Sequence, residues 1–277
     1  MAQDRTPEDP ALLAHAVGGD REAFDQLIVM HLPRLRAVVR RMVGHPEDTD
    51  DVVQESLLRA WNARGTFRGD ARFGTWLCAI GTRAAIDHLR SRKRWRPRAQ
   101  VAYANACLER EDLGMEVGST LGAPDFIYEV REHIAFCFSC VGRSLEPEEQ
   151  AALLLTEVLE LKGREAADAL EMSESVFRHT LTSARQQMTT TYEGLCTLVN
   201  KTGVCYQCKG LREGTHAAGR GEEPPALRTL DERIGIVRSS NVDTGISQRL
   251  HDIFWRRISE IEARADASEI PTMDCPP

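Results

Sequence analysis

The chain has 277 residues, 42% hydrophobic and 28% charged, with a net charge of −7; this describes a globular protein of two or three small domains and argues against a wholly basic nucleic-acid coat. No apolar run approaches the ~20 residues that cross a bilayer, and the opening MAQDRTPEDP lacks the basic start and apolar core of a secretory signal, so a cytoplasmic location without a membrane partner is expected. Eight cysteines in such a chain suit free thiols, metal ligands or redox groups better than a disulfide framework.

Residues 9–18 predict a short helix closed by Gly18-Gly19. Asp20 is the N-cap of a helix to Val43 that Pro33 should kink or split. HPEDTDD opens the next, with Pro46 in the first turn and acids where the helix dipole favours them. Val53, Leu57 and Trp61 follow at i, i+4, i+8 as an apolar stripe. GTFRGDARFG (65–74) is a glycine-punctuated loop. A long helix then runs to about Trp95, with Phe73, Leu77, Ile80 and Ala84 on one face. From Arg83 to Arg98 the chain carries seven cations and one acid. Pro and Gly weaken the pattern over 96–126, which reads as an interdomain linker. Helices resume over 127–143, 147–161, 164–170 and 174–190. Residues 194–225 are rich in Gly, Cys and Pro and read as irregular, and two amphipathic helices follow at 226–239 and 246–265. The expected fold class is mainly α.

GREAADALEMSESVFRHTLTSARQQM has helix-turn-helix form: a short helix (Arg164–Leu170), a tight turn, and Ser173 as N-cap of a second helix. In that helix Phe177, Leu181, Ala184 and Met188 share one face. Ser175, Arg178, His179, Thr182 and Arg185 project away from it, as side chains that reach bases and phosphates in a major groove must. An ordinary helical hairpin fits the same spacing. Upstream, Arg83, Arg90 and Arg94 form one stripe near Trp76. Such a stripe can track a phosphate backbone while the aromatic stacks on an unpaired base; a solvated helix face with Trp76 in the core is the plainer alternative.

These blocks, in this order, resemble the sigma factors of the RNA polymerase sigma-70 superfamily, of the small extracytoplasmic-function type. GDREAFDQLIVMHLPRLRAVVRRMVGHPEDTDDVVQESLLRAW and FGTWLCAIGTRAAIDHLRSRKR are similar to the two halves of the promoter-melting domain. LEPEEQAALLLTEVLELKGREAADALEMSESVFRHTLTSAR is similar to the domain that binds the −35 element. The resemblance implies domains at 1–95 (core polymerase and −10 element) and 127–192 (−35 element), joined by the 96–126 linker. It implies that Asp50, Asp51, Gln54 and Glu55 bind the β′ clamp helices of core RNA polymerase, where acids opposite arginines make charge-assisted pairs. Phe67 and Arg68 match the loop that holds a flipped −10 base, and Trp76, Arg83, Arg90 and Arg94 the neighbouring −10 surface. Promoter DNA and core polymerase are then the partners, an anti-sigma protein is a further candidate, and the chain is not expected to be an enzyme. In the recognition helix, Thr180 and Ser183 stand where the family usually has Arg, and each missing phosphate contact should flatten the salt dependence of binding by about one unit of slope.

The stretch 193–277 continues beyond the usual end of such factors and carries Cys205-x2-Cys208 in a Gly-flanked loop. With Cys137 and Cys140 this gives four thiolates, the shell preferred by structural zinc. His133-x3-Cys137-x2-Cys140 also resembles the zinc motif of anti-sigma proteins, which makes His133 and Cys196 alternate ligands. Small cysteines filling an apolar helix are the competing reading. A metal or a disulfide at these positions would clip the extension to the segment before the −35 domain and make it a cis regulator, with the helix containing Leu250, Phe254, Ile258 and Ile261 as its docking part. Two rival functions share the pattern: a DNA-binding regulator that works without polymerase, and a metal or thiol-redox protein on a degenerate sigma scaffold.

Overall fold

A computed structural model of the chain describes residues 8–91, 109–123, 130–195, 229–240, 249, 252–257 and 260. Among the described residues every regular element is helical, and no helix is long and apolar enough to cross a membrane. Helix α1 (Pro10–Val17) starts at Asp9, whose carboxylate accepts the Ala11 amide at 2.9 Å. Helix α2 (Arg21–Val43) starts in the same way, with Asp20 accepting from Glu22 and Ala23 at 3.0 and 3.2 Å. The expected division of α2 at Pro33 does not occur. Pro33 is exposed, as is Val29 one turn earlier, so the carbonyl that loses its partner lies toward water. Leu27, Leu35, Val38 and Val39 are buried before and after Pro33 and anchor both halves of the helix in the core.

Helices α2, α3 (Pro46–Ala63) and α4 (Phe73–Ser91) pack on one another around Leu35, Val39, Val53, Leu77 and Ala84. Gly81 makes the approach of α4 to α2 possible, because a Cβ there would lie 2.3 Å from the Leu35 methyl. The 65–74 loop includes one 3₁₀ turn, Arg64–Thr66. Helix α4 is capped from a distance: the Phe73 and Gly74 amides donate to the Glu8 carboxylate at 3.2 and 3.3 Å, and the same carboxylate meets His31 Nε2 at 3.1 Å. The 96–126 linker is not irregular throughout. Helix α5 (Glu111–Gly122) lies within it, held by buried Leu113 and Val117 at i, i+4. Glycines at 114, 118 and 122 lower its propensity by ~1 kcal/mol each and conceal it from pattern reading.

The second unit consists of α6 (Val130–Gly142), α7 (Pro147–Leu153), α8 (Gly163–Ala169) and α9 (Glu174–Leu195). The single helix expected over 147–161 changes winding at Leu154, where a π-helical turn runs to Val158. The chain then leaves the helix with Glu160 at φ 56°, and a second positive φ at Glu171 makes the tight turn between α8 and α9. Ser173 caps α9, its Oγ accepting the Val176 amide at 3.3 Å. Phe177, Ala184 and Met188 are buried and Leu181 is half-buried, as the stripe requires, and Tyr192 extends it. Of the extension, α10 (Leu230–Ser239) is capped by Thr229, whose Oγ1 accepts the Glu232 amide at 3.2 Å, and residues 252–257 are helical. Phe254 is buried there, as a docking segment needs; Leu250, Ile258 and Ile261 lie outside the described residues.

His133 on α6 is 2% exposed. Burial first, and the Arg233 guanidinium second, push its pKa down to about 4. A depressed pKa stabilises the fold above the unfolded-state value and is lost as pH falls through the folded one. This residue therefore contributes its full share above about pH 6.5 and loses up to about 3 kcal/mol as pH falls toward 4. Denaturant titrations at pH 7 and pH 4.5 should show His133→Gln losing less stability between the two than the parent chain loses.

Candidate nucleic-acid interface

The acidic group on α3 divides between its two neighbours. Val52, Val53, Ser56 and Ala60 are buried, which turns Asp51, Gln54 and Glu55 to the exterior. Leu58 continues that face and is 62% exposed. Asp50 is half-exposed and pairs with Arg36 of α2. Glu55 accepts from Arg59 at 2.9 Å, and Arg59 also reaches Asp87 on α4 at 2.6 Å. These two carboxylates, Asp87 first, raise the Arg59 pKa.

Phe67, Phe73 and Trp76 form an aromatic wall. Ring centroids are 5.8 Å apart for Phe67 and Phe73, 5.4 Å for Phe67 and Trp76, and 5.3 Å for Phe73 and Trp76. Phe73 is buried beneath while Phe67 and Trp76 are half-buried, so each keeps part of its surface outside. Phe73 also meets Phe24 at 6.0 Å, and Phe24 meets Trp61 at 5.2 Å, which ties the wall into the core. Arg64 lies over the Trp61 ring at 4.1 Å. Arg68 is exposed at the rim.

The cation stripe of α4 is not free. Arg83 donates to the Ala169 carbonyl at 2.9 Å and lies 3.6 Å from Glu171, both in the helix-turn-helix unit. Arg90 pairs with Glu148 at the start of α7. Arg94 lies outside the described residues. The two positions expected to face DNA thus face the other domain, because α8 and the first turn of α7 bring acceptors to that side of α4.

Ser175, Arg178, His179 and Thr182 of α9 are exposed along one side, as expected of a reading face. Arg185 is instead engaged by Glu157 and, at 2.6 Å, by Asp231 of the extension. Burial opposes its charge, but Asp231 and Glu157 outweigh burial and raise its pKa. Ser183 turns inward: its hydroxyl donates to Glu149 at 2.6 Å, and Gln187 donates to the same carboxylate at 2.8 and 3.0 Å. Glu149 is 9% exposed, so position 183 braces α9 against α7 and an arginine there would displace that brace.

Cys140 is buried and Cys137 half-buried on α6. His133 shares their helix but is enclosed beside Arg233, and among the described residues no group of three or more His, Cys, Asp or Glu side chains is placed to hold a metal ion. The notional shell of His133, Cys137, Cys140 and one cysteine of the extension thus includes a ligand outside the described residues, and the Arg233 guanidinium beside the imidazole opposes a dication at His133. Cys196, Cys205 and Cys208 lie outside the described residues.

A family model described as Sigma-70 region 2 matches residues 27–95. The ECF RNA polymerase sigma factor SigG of Mycobacterium tuberculosis is 34% identical over 161 residues, which cover 54% of this chain and 43% of that protein; the chain thus spans less than half of that relative's length. The RNA polymerase sigma factor NccH of Alcaligenes xylosoxydans xylosoxydans is 30% identical over 182 residues, 65% of this chain and 92% of that protein. The RNA polymerase sigma factor CnrH of Cupriavidus metallidurans is 30% identical over 185 residues, 66% and 94% respectively. With α2 to α4 as its region 2 and a helix-turn-helix unit behind it, the chain belongs to the RNA polymerase sigma-70 family, in the extracytoplasmic-function branch.

Proposed function

We propose that the chain works as a sigma factor: it binds core RNA polymerase, opens promoter DNA at the −10 element and reads the −35 element, leaving the chemistry to the polymerase. The observation that carries this reading is the pairing of two surfaces on one helical unit. Asp51, Gln54, Glu55 and Leu58 form an exposed acidic and apolar strip on α3. Phe67 and Trp76 present partly exposed rings over Phe73. The strip suits a basic helical partner, the β′ clamp helices, through charge-assisted hydrogen bonds around one apolar anchor. The wall suits a base turned out of the stack, since unstacking costs a few kcal/mol and needs an aromatic surface in return. Ser175, Arg178, His179 and Thr182 supply the −35 contacts, and the location would be cytoplasmic, with the polymerase.

Charge reversal at Asp51 and Glu55 together should weaken binding to core polymerase by at least about tenfold, the size of one or two charged hydrogen bonds, and abolish run-off transcription. If the double variant binds and transcribes like the parent, the clamp contact is wrong and a polymerase-independent regulator becomes the better reading. Arg178→Ala should reduce the slope of log K against log salt for promoter DNA by about one unit, with a similar loss on every sequence if the side chain meets phosphate.

The metal reading rests on Cys137 and Cys140 in the C-terminal half of α6 together with Cys205 and Cys208. We propose zinc as its occupant, on the preference of thiolates for that ion. Elemental analysis should give about one zinc per chain, lost in a Cys205→Ser/Cys208→Ser variant; a metal-free parent chain purified under reducing conditions would remove this part of the proposal.

A further inference from the structure

We propose that the C-terminal extension is an intramolecular clasp that locks the promoter-melting domain against the −35 domain, and that this clasped form is the inactive state of the factor. The proposal rests on the sigma-factor reading above and adds its regulation. The extension meets both domains at one seam. Trp255 is 2% exposed and its indole lies on Gly44, the residue that ends α2, so closely that a Cβ there would be 2.3 Å from the ring. Gly44 also has φ 81°, so both the backbone and the indole require glycine there. The other side of the same indole meets Phe136 at 5.8 Å and the Arg143 guanidinium at 5.1 Å, both in the −35 domain. One side chain thus bridges the two domains.

Helix α10 repeats the arrangement with polar groups. Arg41 of α2 is 2% exposed and donates to the Val237 and Ser240 carbonyls at 3.3 and 3.1 Å, the C-terminal end of α10, where the helix dipole favours a cation. On the opposite side Arg233 of α10 lies under the Tyr192 ring at 4.3 Å. Arg238 reaches Glu157 and, at 3.2 Å, Glu160, while Asp231 holds Arg185. Glu116 of α5 adds pairs to Arg256 and Arg257 at 3.0 and 3.2 Å, so the interdomain helix is gathered in as well.

Geometry makes the clasped form unable to occupy a promoter. The −10 and −35 elements lie about 25 base pairs apart, ~85 Å along B-form DNA. Here Arg83 of the melting domain hydrogen-bonds Ala169 of the −35 domain at 2.9 Å, and the Gln150 amide donates to the Arg41 carbonyl at 3.2 Å. Both domains cannot reach their elements while in contact. Three cations expected on phosphate, Arg83, Arg90 and Arg185, are meanwhile matched by Glu171, Glu148, Glu157 and Asp231. Opening would return all three to DNA, and the segment between Ser91 and Val130 is long enough to span the gap even with α5 kept helical, at ~1.5 Å per helical residue and ~3.3 Å per extended one.

Two full-length variants test this. Trp255→Ala removes the bridge. Asp231→Ala with Arg238→Ala leaves net charge unchanged and touches only accessible side chains, so its folding is not at risk. Scattering should give both a larger radius of gyration than the parent, at unchanged helix content by circular dichroism. For binding to random-sequence duplex, the salt slope should steepen by two to three units for Trp255→Ala and by about one for the double variant, and both should bind core polymerase several-fold more tightly. Variants as compact as the parent, or a double variant with an unchanged salt slope, would overturn the clasp; open variants with no gain in polymerase binding would overturn its inhibitory role. If neither parent nor variants bind core polymerase at all, the sigma-factor reading fails, while scattering and salt slope still decide whether the clasp exists.

Discussion

A guanidinium leaves water only where acceptors or aromatic faces surround it, and the arrangement of this protein depends on three that have done so. Arg41, Arg143 and Arg233 are each 2% exposed or less, and each stands where two parts of the chain meet. Arg41 belongs to the melting domain and ends on carbonyls of α10. Arg143 belongs to the second helical unit and faces Trp255. Arg233 belongs to α10 and faces Tyr192 of α9. Separating the parts returns these cations to solvent, which compensates much of the lost contact. A seam built this way can be closed and reopened, whereas one lined only with apolar side chains would behave as a permanent core.

The two kinds of surface on the melting domain fare differently in this closed arrangement. The α3 strip remains exposed, while the cations of α4 are covered by the neighbouring domain. The strip thus stays accessible while the cations of α4 are matched by acceptors of the neighbouring unit. Within the −35 domain, the Glu149 brace explains the unusual serine in the recognition helix. Ser183 and Gln187 fix α9 on α7 through the Glu149 carboxylate.

Most of the helical framework was legible from periodicity, because each stripe has one local cause. Phe73, Leu77, Ile80 and Ala84 are all buried, and so are Phe177, Ala184 and Met188. Asp20 and Ser173 cap where their side-chain chemistry says they should. What escaped was of two sorts. Helix α5 was hidden by its glycines, since propensity opposes what Leu113 and Val117 secure by tertiary burial. The pairings of Arg83 with Ala169, Arg41 with Ser240 and Trp255 with Gly44 join residues far apart in the chain, and no spacing rule encodes them. A buried arginine carries the same letter as an exposed one, and only its neighbours in space distinguish a DNA ligand from a fastening. The surroundings of His133 were illegible for a related reason: helical spacing aligned it with Cys137 and Cys140, but nothing in that spacing announced Arg233.

The carboxylate of Glu8 illustrates how far such control can reach. It holds the first amides of α4, and α4 carries Phe73 and Trp76 within its first turn. The orientation of the aromatic wall is thus set by a residue before the first helix, which never approaches the base that the wall would hold. Tethering or displacing that leading segment would alter the wall from behind, with each of its own side chains left intact.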